Sequence, residues 1–192
     1  MTESQTTALE QGIEGEETAV SFFQNKHFAL LIGLIVLIID QATKLWIEGT
    51  MELNTAVFPI ESLAPYFEFA HIANRGMAFG LFQSGGLFFL GIALVMIVGI
   101  LYFNYQTPIN SVPFRVAMGL LLGGAIGNLF DRVRIGYVVD FIHFNLLPLV
   151  GVEYADHVIL RYLDWFVFNI ADLAVVSGVI ILLYVSLTEE EL

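Results

Sequence analysis

Two aspartates in apolar surroundings are the residues of this sequence that could most readily perform chemistry. Asp140 follows the strand-like run 136–139, and Asp172 lies within an apolar segment near the C-terminal end. Two carboxylates that meet in a low-dielectric environment cannot easily both ionise, so one of them retains a proton. A protonated and an ionised carboxyl group side by side form the acid and the base of an aspartic protease. If Asp140 and Asp172 meet in the fold, the pair could therefore carry proton transfer.

Other polar residues in apolar stretches occur as pairs with helical spacing. Residues three or four positions apart lie on the same face of a helix, so both members of a pair can point at one site. Ionisable side chains inside a membrane span cost roughly 2.5 to 3.5 kcal/mol each, so they normally face a protein interior or a water-filled cavity. The pairs are Asp40 with Lys44, Asn128 with Arg132, and Asn169 with Asp172.

A repeat of small residues leads to a further carboxylate. Gly119, Gly123 and Gly127 recur every four residues, and Asp131 follows at the same interval. Small residues at this spacing let a second helix approach closely. Packing alone explains the glycines, whereas the carboxylate at the end of the repeat suggests a part in the site.

Other classes of site have weaker support. The four histidines lack H-E-x-x-H spacing, which argues against a zinc protease, and Ser177 and Ser186 lack a G-x-S-x-G setting. The chain contains no cysteine, so a thiolate metal site and a cysteine nucleophile are excluded. A proton-coupled transporter that uses the aspartates as a relay remains an alternative.

Composition places much of the chain in lipid. Hydrophobic residues make up 57% of the 192 residues, and the mean hydropathy is +0.79. A helix needs about 20 apolar residues to cross hydrocarbon about 30 Å thick. Four stretches qualify, at about residues 28–47, 86–105, 114–130 and 166–187. The predicted fold class is an all-α membrane protein with four transmembrane helices.

The number of spans predicts where the polar pairs gather. Four spans place both termini on one side of the membrane, so the first and third spans end, and the second and fourth begin, at the opposite side. The polar residues at 40–44, 74, 128–132 and 169–172 all fall at that opposite side. We therefore expect a single site near one membrane surface.

The sequence outside the spans divides into three parts. Residues 1–25 are acidic, lack the apolar region of a cleaved signal, and are predicted to form a disordered extension before a four-helix membrane domain at 26–188. Residues about 53–82 contain aromatic-rich runs on both sides of Asn74, Arg75 and Gly76, which predicts a small β-sheet on the membrane face. The apolar but interrupted segment 141–165 suggests an extended interfacial loop. The net charge of -12 makes nucleic acid an unlikely partner.

Five motifs in order resemble those of the bacterial lipoprotein signal peptidase (signal peptidase II) family, over about residues 27–187. Five ordered motifs are far more specific than any one of them. The sequence differs from the family pattern in its acidic N-terminal extension, in Met77, and in a longer segment between the two aspartates. The motifs are DQATK at 40–44, NRGMAFG at 74–80, GGAIGNLFDR at 123–132, GYVVDF at 136–141 and FNIAD at 168–172.

The resemblance implies an aspartic endopeptidase, without metal or cofactor, that removes the signal peptide of diacylglyceryl-modified prolipoproteins before the lipidated cysteine. It implies Asp140 and Asp172 as the catalytic dyad. A catalytically inactive lipoprotein-binding relative is a further alternative. Nine residues would bind substrate or support the site by the same resemblance: Asp40, Lys44, Asn74, Gly76, Asn128, Asp131, Arg132, Asn169 and Ala171.

The resemblance also implies a location. The chain would be a monomeric, multi-pass protein of the bacterial cytoplasmic (inner) membrane, with cytoplasmic termini, an active site near the outer face, and membrane lipid as its surroundings. With this orientation only Lys26 and Arg115 would lie on the cytoplasmic side, which runs against the positive-inside rule. The orientation therefore rests on the resemblance and not on the charge count.

Overall fold

Four helices long and apolar enough to cross a membrane dominate the computed structural model, which describes residues 25–63, 66–76, 86–107, 111–144 and 167–188. The helices are α1 (Lys26–Thr50), α2 (Gly86–Gln106), α3 (Val112–Ile135) and α4 (Ile170–Thr188). Large apolar side chains such as Val95, at 74% exposure, cover their outer surfaces. In water this exposure would be unfavourable, but it suits helices surrounded by lipid.

Local sequence signals explain where the helices begin and end. Asn25 precedes α1, and its side chain accepts the backbone N–H of His27. Ser111 caps α3 in the same way by accepting the backbone N–H of Phe114 at 3.2 Å. These side chains satisfy backbone donors that have no partner within the helix. After α3, Gly136 adopts a left-handed conformation with φ of 81°, which glycine reaches at little cost.

Helix α3 is the centre of the bundle and packs against the other three helices. A Cβ atom added at Gly119 would lie 2.6 Å from the Ala29 carbonyl oxygen of α1, and one at Gly123 would lie 2.6 Å from the Gly33 carbonyl oxygen. Real Cβ atoms do not approach so closely, so these glycines permit the contact between α1 and α3. The predicted packing role of the glycine repeat agrees with this geometry.

A four-stranded antiparallel sheet lies beside the ends of α1 and α3. Its order is β1 (Ala56–Val57), β2 (Phe67–Asn74), β3 (Val138–Phe144) and β4 (Val167–Phe168). The β2 and β3 strands pair in a register that sets Ile72 opposite Asp140 and Asn74 opposite Val138. Ile47, Val139 and Phe141 form a buried apolar cluster between the sheet and the helices. This cluster fixes the sheet against the bundle.

The predicted combination of four membrane-length helices and a small antiparallel sheet is confirmed. One detail differs from the expectations. The fourth helix begins at Ile170, after the short strand β4, whereas the predicted span began at 166. The described partners of β2 are β1 and β3, while the second aromatic run at 77–82 lies outside the described residues. The predicted N-terminal extension, apart from Asn25, and residues 145–165 of the predicted loop also lie outside them.

Candidate active site

A cavity of about 350 Å³ lies where the sheet meets α2, α3 and α4. Asp140 and Asp172 both line it. Its polar wall also includes Asn74, Gly76, Asn128 and Arg132. The rest of its wall is largely apolar, with contributions from Phe89, Ile92, Ala93 and Met96 of α2 and from Val175 and Val176 of α4.

Asp140 lies in β3 and is only 2% exposed. Asn74 Nδ2 donates to Asp140 Oδ2 at 2.9 Å, and Asn169 Nδ2 donates to Asp140 Oδ1 at 2.7 Å. Burial raises the pKa of the Asp140 carboxyl to about 7, and the nearby Asp172 carboxylate acts in the same direction. The two amide donors oppose this shift because they stabilise the ionised form. Asp140 therefore exchanges its proton near neutral pH.

Asp172 lies in the first turn of α4, at the N-terminal end of the helix. Asn169, the residue before the helix, donates its backbone N–H to Asp172 Oδ2 at 3.2 Å, while Asp172 donates its own backbone N–H to Asn169 Oδ1 at 3.0 Å. This reciprocal pair is a capping box, and it fixes the carboxylate relative to the helix. The partial positive charge of the helix N-terminus also favours a carboxylate there.

The amide of Asn128 is oriented by the groups around it. Its Oδ1 accepts from Lys44 Nζ at 3.0 Å and from Asn169 Nδ2 at 3.1 Å. An ammonium group can only donate, so the oxygen of the amide must face Lys44. The nitrogen is then directed at the cavity, where it donates to Asp172 Oδ1 at 2.8 Å.

Arg132 is the only basic residue among the described residues that line the cavity. Its guanidinium donates to the backbone carbonyl oxygen of Asn128 at 3.1 Å and to that of Gly76 at 3.4 Å. The backbone N–H of Gly76 in turn donates to Asn74 Oδ1 at 3.0 Å. Arg132 and Gly76 thus support the two asparagines and place a positive charge at the cavity wall.

Five predicted site residues do not line the cavity: Asp40, Lys44, Asp131, Asn169 and Ala171. The first three form a charged group behind it. Asp40, Lys44 and Asp131 are fully buried, and Lys44 Nζ lies 2.9 Å from a carboxylate oxygen of each aspartate. Such a buried group of charges persists only when every member is paired and hydrogen-bonded. A Cβ atom at Gly127 would lie 2.5 Å from Asp40 Oδ2, so glycine at this position leaves room for the carboxylate.

Ala171 contributes to the site through its backbone, because its N–H donates to Asp40 Oδ1 at 2.9 Å. The structure thus brings all eleven predicted site residues into one connected region. The apolar cavity wall was not predicted from the sequence. Ile92, Ala93 and Met96 resemble any other lipid-facing residues of a span, so no sequence signal distinguishes them.

The chain matches the family model described as signal peptidase (SPase) II over residues 32–188. A lipoprotein signal peptidase of Caldanaerobacter subterraneus is 36% identical over 156 residues, which cover 81% of this chain and 93% of that protein. A lipoprotein signal peptidase of Moorella thermoacetica is 37% identical over 153 residues, with 80% and 88% covered.

Solved structures agree with this match. One structure described as a bacterial membrane enzyme has a TM-score of 0.69 at 30% identity and covers 86% of this chain and 93% of its own. A second structure with the same description has a TM-score of 0.68 at 31% identity. With four apolar helices of spanning length, the chain is a multi-pass membrane protein. It belongs to the signal peptidase II family.

Proposed function

We propose that the chain is an aspartic endopeptidase that removes the signal peptide of diacylglyceryl-modified prolipoproteins and cleaves just before the lipidated cysteine. The observation that carries this proposal is that Asp140 and Asp172 line one apolar cavity in a membrane protein of this family. The names of the similar proteins support the substrate class. Asp140 and Asp172 are the proposed catalytic residues.

The proposed chemistry uses one proton shared by two carboxyl groups. The ionised aspartate takes a proton from a water molecule as its oxygen attacks the scissile carbonyl carbon, while the protonated aspartate donates a hydrogen bond to the carbonyl oxygen. The raised pKa of Asp140, about 7, supports a pair that retains one proton at neutral pH. The bond between the carbonyl carbon and the leaving nitrogen then breaks, and the nitrogen takes up the proton that the first aspartate accepted from water.

The asparagines keep the two carboxyl groups in place during this exchange. Asn74 and Asn169 hold Asp140, and Asn128 and Asn169 hold Asp172. Each amide directs its nitrogen at a carboxylate. This preorganisation lowers the cost of placing the reacting groups correctly.

The apolar wall suits the lipid part of the substrate. Helices α2 and α4 both pack on α3 and make little contact with each other in the part of the chain that the structure describes. Ile92, Met96 and Val176 line the cavity and are each more than 40% exposed. This exposure supports the proposal that the cavity opens to lipid between α2 and α4. The diacylglyceryl chains can remain in the bilayer while the peptide bond lies beside the aspartates.

The proposed location is the bacterial cytoplasmic membrane, with cytoplasmic termini and the cavity near the outer face. We propose that the enzyme acts as a monomer. Protease treatment of sealed inverted vesicles tests the orientation, because cytoplasmic termini would be accessible there. Protection of the N-terminal residues from the protease would contradict it.

Purified protein incubated with a lipidated precursor tests the function. We expect a product whose N-terminus is the diacylglyceryl-modified cysteine, and much less product from the same precursor without the lipid. An inactive relative would bind the precursor without cleaving it, and a transporter would move protons without forming any peptide product. The absence of cleavage by folded protein in lipid would refute the proposal.

A further inference from the structure

A second pair of carboxylates, Asp40 and Asp131, lies directly behind the pair that lines the cavity; we call them the rear carboxylates. Asp40 Oδ1 accepts the backbone N–H of Ala171 at 2.9 Å, and Asp131 Oδ2 accepts the backbone N–H of Val139 at 3.1 Å. Ala171 immediately precedes Asp172, and Val139 immediately precedes Asp140. Each rear carboxylate therefore holds the backbone next to one cavity aspartate.

Two donor groups join the rear carboxylates to each other. Lys44 Nζ lies 2.9 Å from Asp40 Oδ2 and 2.9 Å from Asp131 Oδ2. Gln41 Nε2 lies 3.0 Å from Asp40 Oδ2 and 3.0 Å from Asp131 Oδ1, and it also donates to the Gly127 carbonyl at 3.2 Å. Carboxylate and carbonyl oxygens only accept, so the nitrogen of the Gln41 amide must face this group.

The other end of the same amide indicates what fixes the Gln41 side chain. Gln41 Oε1 is buried and has no hydrogen-bond partner among the described residues. A buried polar atom without a partner costs about 1 to 3 kcal/mol. The placement of the side chain is therefore determined by its nitrogen, which bridges the two rear carboxylates.

We infer that Gln41 is a positioning residue which, together with Lys44, sets the separation of Asp140 and Asp172 through the rear carboxylates. This inference rests on the function proposed above. The rear carboxylates hold two elements that are far apart in sequence, the strand β3 and the first turn of α4. If the bridge between the rear carboxylates loosens, like charges repel and the two elements can shift apart. Gln41 does not line the cavity, so it acts on the reaction and not on substrate binding.

Replacement of Gln41 by methionine, Gln41→Met, tests the inference because methionine keeps the unbranched chain and removes the donor. We expect kcat for the lipidated precursor to fall about tenfold while KM changes less than about twofold, because the substitution affects the chemical step and not substrate binding. The alkaline limb of the pH profile should move to lower pH by about half a unit, because Asp172 raises the pKa of Asp140 less when the two carboxyl groups are farther apart. A purely structural role would lower thermal stability without this shift.

Thr43→Val is the matched control on the same turn of α1. Thr43 Oγ1 bonds to the carbonyls of Ile39 and Asp40 within its own helix, so this variant should keep the parental kcat and pH profile. If Gln41→Met is not obtained in folded form, Gln41→Glu gives the test instead. Its activity should recover as the pH falls, because a protonated carboxyl group can again donate to a rear carboxylate.

The outcomes separate this inference from the proposed function. Parental kcat and pH profile in Gln41→Met would overturn the positioning role while cleavage by the parent protein upholds the peptidase function. A rise in KM alone, or activity of Gln41→Glu that does not recover at low pH, would also overturn it. Failure of the parent protein itself to cleave would instead refute the proposed function.

Discussion

The side-chain nitrogen of Asn169 lies 2.7 Å from Oδ1 of Asp140, across the boundary between the sheet and the fourth helix. The same asparagine donates its backbone N–H to Asp172 and accepts the N–H of Asp172 on its Oδ1. One residue thus contacts both cavity carboxylates and also caps α4. Asn169 therefore connects the two aspartates directly through its own hydrogen bonds.

Asn169→Ala should therefore reduce both catalysis and stability. We expect kcat/KM for the lipidated precursor to fall by about 100-fold, or about 2.7 kcal/mol, because both carboxylates lose a positioning contact. Loss of the helix cap should cost about 1 kcal/mol of unfolding free energy. Cleavage assays and thermal unfolding in the same detergent measure the two effects.

Ser111→Ala provides the control for the cap. Ser111 caps α3 by accepting the backbone N–H of Phe114, on the far side of the bundle from the cavity. The Ser111→Ala variant should lose about as much unfolding free energy as Asn169→Ala but keep the parental kcat/KM. Equal losses of activity in both variants would mean that Asn169 acts through helix stability alone.

The pH dependence of activity should follow Asp140. Its pKa is raised to about 7 by burial, with Asp172 adding to the shift and Lys44 opposing it. A pair that needs one proton loses it as the pH rises, so kcat/KM should decline above about pH 7. A profile that stays flat to pH 9 would contradict the shared proton.

The raised pKa of Asp140 also makes the stability of the protein depend on pH. The pKa of Asp140 in the folded protein lies above its ordinary value, so folding favours the protonated carboxyl group. The free energy of unfolding that this preference contributes is therefore lost as the pH rises through about 7. Asp140→Asn cannot ionise at this position. Its melting temperature should therefore depend less on pH between about 4 and 8 than that of the parent, and scanning calorimetry can measure the difference.

Asp131→Asn tests the group behind the cavity. Asp131 pairs with Lys44 at 2.9 Å and accepts the N–H of Val139, and it is fully buried. Breaking one side of a buried ion pair costs about 3 to 5 kcal/mol, although Lys44 retains Asp40 here, so the lower end is expected. The variant should lose thermal stability as well as rate. Loss of rate at unchanged stability would instead indicate direct contact with substrate.

The apolar wall can be tested by filling it. Ala93→Phe places a ring in a cavity of about 350 Å³, where it should obstruct an acyl chain. We expect KM for the lipidated precursor to rise about tenfold with a smaller change in kcat. Leu94→Phe changes the next residue, which is 47% exposed and does not line the cavity, and should behave as the parent. Equal KM values for the two variants would exclude Ala93 from lipid binding.

The architecture could be predicted from the sequence because the membrane restricts the folds that a spanning chain can adopt. Apolar stretches of sufficient length and the parity of four spans already gather the polar residues at one side. The start of α4 was harder to predict, since Val167 and Phe168 are apolar enough to extend a span and yet form a strand. The capping box of Asn169 and Asp172 is the local signal that marks the true start.

Other features depend on contacts between distant residues. The hydrogen bond from Gln41 to Asp131 joins positions 90 residues apart. The local sequence does not indicate which acceptors the Gln41 amide contacts. The pairing of Asn74 with Asp140 follows from the register of β2 and β3, which the alternation of side chains alone does not fix. Sequence spacing reveals faces of helices but not the partners they meet.

The cavity aspartates themselves provide the decisive prediction. Asp140→Asn and Asp172→Asn each keep the side-chain volume but remove the ability to exchange a proton. A mechanism that shares one proton needs both partners, so each variant should lose detectable turnover while it remains folded and inserted in the membrane. A cooperative melting transition and retained precursor binding are the controls for correct folding.

The double variant, Asp140→Asn with Asp172→Asn, should be scarcely less active than either single variant. Residues that act as one unit are strongly non-additive, because removal of the first already abolishes the step that needs the second. Independent contributions would instead multiply and make the double variant far worse, provided that residual rates can be measured over long incubations. Cleavage of the lipidated precursor at a near-parental rate by either single variant would rule out the two-aspartate mechanism and leave the cavity as a binding site for a lipoprotein.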